Sequence, residues 1–252
     1  MISRNKIKFI RSLEKKKFRN ESACFLAEGN KLVADILPFF ECECLIAKPS
    51  WMATQGDIHA KELIIAEKDD IEKASLLKTP QDVLAVFRQP RYVLDKEALK
   101  NELNLVLDGI QDPGNLGTII RLADWFGIKR LICSPDTADV YNPKTVQATM
   151  GAIARVQVFY VSLPDWLNDI NDISVYGAFL SGKNIYTESL SSSGLIVMGN
   201  EGSGISVTVE KRITQKLYIP NYHPEAESTE SLNVAMATAI VCSEFRRRQA
   251  GS

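Results

Sequence analysis

Histidine is scarce in this chain, with only His59 and His223 among 252 residues. That removes the commonest metal ligand and the side chain that titrates most readily near neutral pH. The cysteines are few and odd in number: Cys24, Cys42, Cys44, Cys133 and Cys242. They lack the regular spacing of a disulfide framework, and no apolar leader stands at the start. The expectation is a reduced, cytoplasmic protein. Cys42 and Cys44 alternate with Glu41 and Glu43, so both thiols are expected to face a core from one strand, and no metal is expected. No apolar run reaches membrane-spanning length, so no membrane is expected either. Net charge is also nearly absent, at −1, so the global field selects no partner. There is no low-complexity segment and no internal repeat.

What is present is unevenly distributed. Residues 1–31 carry Arg4, Lys6, Lys8, Arg11, Lys15, Lys16, Lys17, Arg19 and Lys31 against only Glu14, Glu21 and Glu28. A basic end on a neutral protein suggests a local polyanion contact or a solvated helix face, and charge alone leaves both open. The first half reads as a small α/β unit. Helices are predicted near 7–13, 31–37 and 69–77, and strands over 25–28, 42–47, 63–66 and 83–88. The break at Gln89-Pro90-Arg91 and the charged stretch over 95–102 divide the chain into domains at 1–92 and 103–252.

The second half alternates strands and helices. Strands are predicted over 103–108, 130–133, 156–161, 175–179, 195–198 and 217–219. Helices are predicted over 116–126, closed by Gly127, and over 143–154, 164–170, 206–212 and 231–248. This rhythm implies a parallel sheet covered on both faces, with ligands at the carboxyl ends of its strands.

Three constellations carry chemistry. In Asp108-Gly109-Ile110-Gln111-Asp112-Pro113-Gly114-Asn115 a strand ends in a turn, and Asn115 is expected to cap the next helix. Arg121 is then expected just inside that helix, placed to hold an anion or simply exposed on its surface. In Gly199-Asn200-Glu201-Gly202-Ser203-Gly204 the glycine order is not that of a dinucleotide loop. Gly199 and Gly204 have phosphate-loop spacing, but Ile205 stands where that loop needs lysine, and Glu201 would repel phosphate. A less negative, adenosine-bearing ligand fits better. In the third, Ile219-Pro220 is followed by Ser231-Leu232-Asn233-Val234-Ala235. Ser231 is expected to cap the last helix, and Asn233 needs a polar partner in an apolar setting.

Together, Asn115-Leu116-Gly117-Thr118-Ile119-Ile120-Arg121, Met198-Gly199-Asn200-Glu201-Gly202-Ser203-Gly204 and Ile219-Pro220…Ser231-Leu232-Asn233-Val234-Ala235 resemble the three motifs of the SpoU (TrmH) family of RNA 2′-O-ribose methyltransferases, in the SPOUT superfamily. The likeness covers about residues 103–248. The first half more weakly resembles the family's RNA substrate-binding domain, through Asn5, Lys8, Leu13, Lys17, Arg19, Phe25 and Glu28-Gly29. The resemblance implies a SPOUT-type parallel sheet with a C-terminal trefoil knot, preceded by a small α/β RNA-binding domain. It implies S-adenosylmethionine held by backbone groups near Met198, Gly199, Ile219 and Leu232. It implies functional roles for Asn115, Arg121, Glu201, Ser231 and Asn233, and a homodimer with a shared active site. RNA contacts are assigned to Lys8, Arg11, Lys15, Lys16, Lys17 and Arg19. One departure is the acidic, glycine-free loop over 221–230, longer than the family's.

The implied activity is methylation of a structured RNA, rRNA first and tRNA as the alternative; a non-catalytic RNA-binding protein of the same fold is the other reading. A neutral thioether leaves, so the chemistry needs no metal. Arg121 could activate the 2′-hydroxyl or clamp the neighbouring phosphate, and sequence leaves both roles open.

Overall fold

The computed structural model describes residues 2–222 and 231–249. His223 and residues 224–230 of the acidic loop lie outside them. The first stretch runs α1 (Arg4–Ser12), α2 (Lys16–Ser22), β1 (Cys24–Glu28), α3 (Asn30–Ile36), β2 (Cys42–Ala47), α4 (Pro49–Met52), β3 (Leu63–Ile65), α5 (Lys68–Ala74) and β4 (Val83–Arg88). Then come α6 (Lys96–Asn101), β5 (Leu103–Asp108), α7 (Pro113–Trp125), β6 (Arg130–Cys133), α8 (Pro143–Thr149), β7 (Gln157–Tyr160), α9 (Leu163–Asn168), β8 (Val175–Phe179), β9 (Lys183–Asn184), β10 (Gly194–Gly199), α10 (Val207–Glu210), β11 (Gln215–Tyr218) and α11 (Val234–Gln249).

Two compact units result. One joins Met1–Arg91 with Asp139–Ala154, and the other joins Tyr92–Ala138 with Arg155–Ser252. The first holds a four-stranded sheet in the order β1-β4-β2-β3, with only the β2–β3 pair parallel. Cys42 and Cys44 are both buried, but a register shift between them sets Cys42 opposite Phe87 and Cys44 opposite Val86, consecutive residues of β4, so simple alternation does not hold across this stretch. All five cysteines are free and buried. Loss of water pushes the Cys42 thiol up to about 12 and that of Cys44 to about 11, so both are neutral thiols.

Two sequence expectations are corrected in this unit. The helix predicted over 143–154 stops at Thr149, because Met150 and Gly151 take left-handed backbone at φ 51° and 91°. The short α8 then packs on β1 rather than in the other unit's sheet. Gln147 Nε2 donates to the Glu28 carbonyl at 2.7 Å, and the rings of Tyr141 and Phe25 lie 4.9 Å apart. Arg19 is also not the solvated cation it reads as. It is 1% exposed, donates from Nε and Nη2 to Asp139 Oδ2 at 3.0 and 2.6 Å, and donates from Nη1 to the carbonyls of Leu13 and Glu14. Its burial explains why α2 shows no apolar periodicity: the inward residue is charged.

The second unit is a seven-stranded sheet in the order β7-β6-β5-β10-β8-β11-β9, and every pair in it is parallel. Interior β5 is buried along its whole length, as its apolar run requires of a strand covered on both faces. Val106, Ile132, Leu195 and Val197 join Leu163, Leu167 and Val209 in one apolar cluster. The strand order brings the carboxyl ends of β5 and β10 side by side, with Asp108 opposite Gly199.

Candidate active site at the carboxyl edge of the sheet

The edge is built from main chain first. Leaving β10, Asn200 and Gly204 exchange backbone hydrogen bonds at 3.0 and 2.9 Å. Asn200 Oδ1 accepts from the amides of Gly202 and Ser203, and its Nδ2 donates to the Gly109 carbonyl at 2.7 Å. This asparagine therefore shapes its own loop and ties it to the loop after β5. A Cβ on Gly199 would lie 2.3 Å from the Gly204 carbonyl carbon, so only glycine fits there. Gly109, at φ 72°, donates its amide to Ser134 Oγ, and Asp108 Oδ2 accepts from the Ser206 amide.

A polar cluster joins the three motifs. Glu201 Oε1 accepts from Asn115 Nδ2 at 2.6 Å, Asn233 Nδ2 at 2.8 Å and the Val234 amide at 3.3 Å. Asn233 Nδ2 also lies 3.1 Å from Asn115 Oδ1. Two capping expectations are corrected here. Asp112, not Asn115, caps α7, through its Oδ1 and the Asn115 amide. Because Pro113 opens the helix, Asn115 falls inside its first turn, where its amide is free to reach Glu201. Likewise Asn233, not Ser231, caps α11, accepting from the amides of Ala235 and Met236 at 3.0 and 3.3 Å. Ser231 is exposed ahead of the cap.

Arg121 stands apart. It lies in the third turn of α7, not just inside its start, and is exposed. Six residues from Asn115, it points roughly 120° away around the helix. It has no hydrogen bond or ion pair among the described residues. The two helices are instead pinned at their other ends by Arg246, which sequence reading missed. Its Nε and Nη2 donate to the carbonyls of Phe126 (2.7 Å), the C-cap of α7, and of Gly127 (3.2 Å), just beyond it. The signal was a cation near a helix end, one among several in that helix.

The residues assigned to a cofactor fit an adenosine-bearing group by their chemistry. Met198 is buried, Gly199 and Ile219 are half-buried and Leu232 is 49% exposed. They offer backbone groups and apolar side chains. Between residues 198 and 205 the only charged side chain is that of Glu201, which offers a phosphate-rich ligand no cation. Among the described residues no cluster of three metal-binding side chains is present, and no helix is long and apolar enough to cross a membrane.

Of the cations assigned to RNA, Lys8, Lys15, Lys16 and Lys17 are exposed, Lys17 lying 3.9 Å from Glu21. Arg11 is partly committed, donating to the carbonyls of Lys73 and Ser75. Arg19 leaves the group altogether, since its donors are spent inside the unit.

Residues 102–243 match the SpoU rRNA Methylase family, and residues 4–85 match the MRM3-like substrate binding domain. The chain is 32% identical over 246 residues to the 23S rRNA (guanosine(2553)-2′-O)-methyltransferase RlmP of Bacillus subtilis, covering 96% of each protein. Among solved structures, a TrmH-family protein from Porphyromonas gingivalis superposes with a TM-score of 0.89 at 43% identity, covering 98% of this chain and 99% of that one. The AdoMet-bound rRNA methyltransferase from Sinorhizobium meliloti superposes with a TM-score of 0.81 at 30% identity, covering 98% and 96%. With its three motifs gathered at one edge of a parallel sheet, this chain belongs to the SpoU rRNA methylase family.

Proposed function

We propose that this protein methylates a ribose 2′-hydroxyl of ribosomal RNA, using S-adenosylmethionine. The observation that carries the reading is the Asn115–Glu201–Asn233 cluster, which ties the three motifs together at the edge where the cofactor residues lie. When bound, S-adenosylmethionine supplies a sulfonium methyl group open to in-line attack. Main-chain groups near Met198, Gly199, Ile219 and Leu232 would hold it.

The chain's own residues divide the remaining work. Glu201 Oε1 is occupied by three protein donors, so Glu201 with Asn115 and Asn233 is a positioning group that fixes the starts of α7 and α11. Ser231, exposed beside Asn233, is a candidate substrate contact. Arg121 is exposed and has no hydrogen bond or ion pair among the described residues. A guanidinium stays protonated at neutral pH, so it does not remove the 2′-proton. It clamps the adjacent phosphate and stabilises the developing alkoxide, while the proton leaves to phosphate or water.

The protein acts as a homodimer in this reading, with Arg121 serving the partner's cofactor. Two features support this. Arg121 points away from its own chain's cluster. The α11 face opposite its buried stripe also stays open, with Met236 61% exposed and a groove of about 450 Å³ bounded by Phe126, Tyr186, Ala239 and Ile240. The strand order, which places β10 between β5 and β8, supports a knotted C-terminal end. Free, buried cysteines support a reducing, cytoplasmic setting.

The test is transfer of tritiated methyl from S-adenosylmethionine to purified rRNA and, separately, tRNA, followed by nucleoside analysis. A 2′-O-methylnucleoside from rRNA is the expected product. Label found on a base, or only in tRNA, would contradict the reading. So would cofactor binding without transfer to any RNA.

A further inference from the structure

We propose that Phe9 and Phe18 form a stacking platform for unpaired bases, set in the cationic surface of the α1–α2 helix pair. This rests on the reading that the chain acts on RNA, and it names the part of the RNA these helices grip.

The starting observation is an inversion in α2. Adjacent residues Phe18 and Arg19 take opposite places: the phenyl ring is 38% exposed and the guanidinium 1%. Burying a phenylalanine side chain stabilises a fold by about 1.5–3 kcal/mol, and burying an arginine is costly even when it is paired. A helix shaped by stability alone would turn the other way. The bonds from Arg19 to Asp139, Leu13 and Glu14 hold this orientation and keep Phe18 facing out.

Helix α1 repeats the theme. Ile10 is buried and Ile7 half-buried, whereas Asn5, Lys8 and Phe9 share an exposed side at spacings of three and four. Phe9 is also 38% exposed. A short turn joins the helices, with the amides of Glu14 and Lys15 donating to the carbonyls of Arg11 and Ser12. Arg4, Lys8, Lys15 and Lys16 are exposed and have no carboxylate partner among the described residues.

The two helices therefore expose two phenyl rings together with cations that have no carboxylate partner among the described residues. Lysine is depleted at protein–protein interfaces, which disfavours a protein partner. Phosphates satisfy the lysines, but a duplex hides its bases and leaves the rings nothing to stack on. Single strands and loops offer both a phosphate track and open base faces.

The experiment uses the full chain and two probes, an oligoadenylate of about twelve nucleotides and an RNA duplex of about twelve pairs, a length that fills one single-strand site. Affinity is measured across a potassium chloride series. The Phe9→Ala/Phe18→Ala variant should bind the single strand about tenfold or more weakly with an unchanged salt slope, and bind the duplex as before. Phe9→Trp/Phe18→Trp should bind the single strand at least as well as the parent. Lys15→Gln/Lys16→Gln should weaken both probes and flatten the slope. If the alanine variant binds oligoadenylate normally while the glutamine variant is weakened, the stacking inference falls and the basic RNA surface stands. If neither variant changes, both fall. A parent chain that binds neither probe would instead overturn the RNA reading itself.

Discussion

Two arginines show how the halves of this molecule differ. Arg19, in the first unit, is enclosed and has its donors satisfied by Asp139 and two carbonyls. Arg121, in the second, is exposed and bonded to nothing among the described residues. Sequence reading gave both a ligand-binding role. The structure buries and pairs the first and leaves the second exposed, which is the contrast the proposed mechanism uses. In the first unit, side chains offered outward make the surface. In the second, backbone loops make the edge, and the polar side chains there mostly hold one another.

The largest effect should come from Arg121→Ala. Methyl transfer should fall by about 10²–10³-fold, the cost of removing one transition-state donor, while the midpoint of unfolding stays unchanged. Arg121→Lys should rescue little, since a point charge does not replace a bidentate fork. Near-normal turnover would remove Arg121 from the mechanism. Arg19→Met should give the reverse pattern. Stability should drop by about 3–5 kcal/mol in urea unfolding, because Asp139 loses its partner. Adding Asp139→Leu should recover part of that loss. A stable Arg19→Met variant that had lost only RNA binding would erase the contrast between the two arginines.

Gly199→Ala tests the backbone edge. The added methyl cannot fit against the Gly204 carbonyl carbon, so the loop must open. Calorimetry should show S-adenosylmethionine binding weakened by about tenfold or more, which corresponds to 1.4 kcal/mol of lost contact. Unaltered affinity would place the cofactor elsewhere.

The smallest effects are in acid, and they have opposite signs in the two units. The Arg247 guanidinium, with that of Arg248, holds Glu244 down to about 2, below its unfolded value near 4.5. Its stabilisation is therefore present above about pH 4.5 and is lost as pH falls toward 2. Glu28 is raised instead, by burial, against the pull of Ser75 and the Leu76 amide. Its folded state holds a proton more tightly than the unfolded one, so its contribution is full below about pH 4.5 and is lost as pH rises through the folded value. Unfolding curves against pH should flatten on the acid side for Glu244→Gln. For Glu28→Gln they should flatten above about pH 4.5. Parallel curves for parent and variants would refute both assignments.

Much of the strand framework was legible because apolar runs bounded by turns are short-range signals. The strands over 42–47, 83–88, 103–108, 130–133 and 175–179 fall where they were predicted. The parallel sheet followed from alternation of strands and helices, but its order did not, because pairing β10 with β5 is a long-range choice. Helix α2 was missed because its inward residue is Arg19. The caps were misplaced because Asp112 and Asn233 compete with equally plausible neighbours, and only the chain path decides between them. The motifs at Asn115, Glu201 and Asn233 were found as separate features. That one carboxylate oxygen gathers both amides could not be read before the three loops met. Asn200 and Arg246 were overlooked, since an asparagine in a turn and an arginine in a final helix are ordinary until their partners are known.

The most direct test of the account is a map of ribose methylation along the ribosomal RNA of cells with this gene deleted, then restored as wild type or as Arg121→Ala. The account predicts that an rRNA 2′-O-methyl group disappears on deletion, returns with the wild-type chain and stays absent with Arg121→Ala. An rRNA methylation map unchanged by deletion, or one restored by Arg121→Ala, would contradict it.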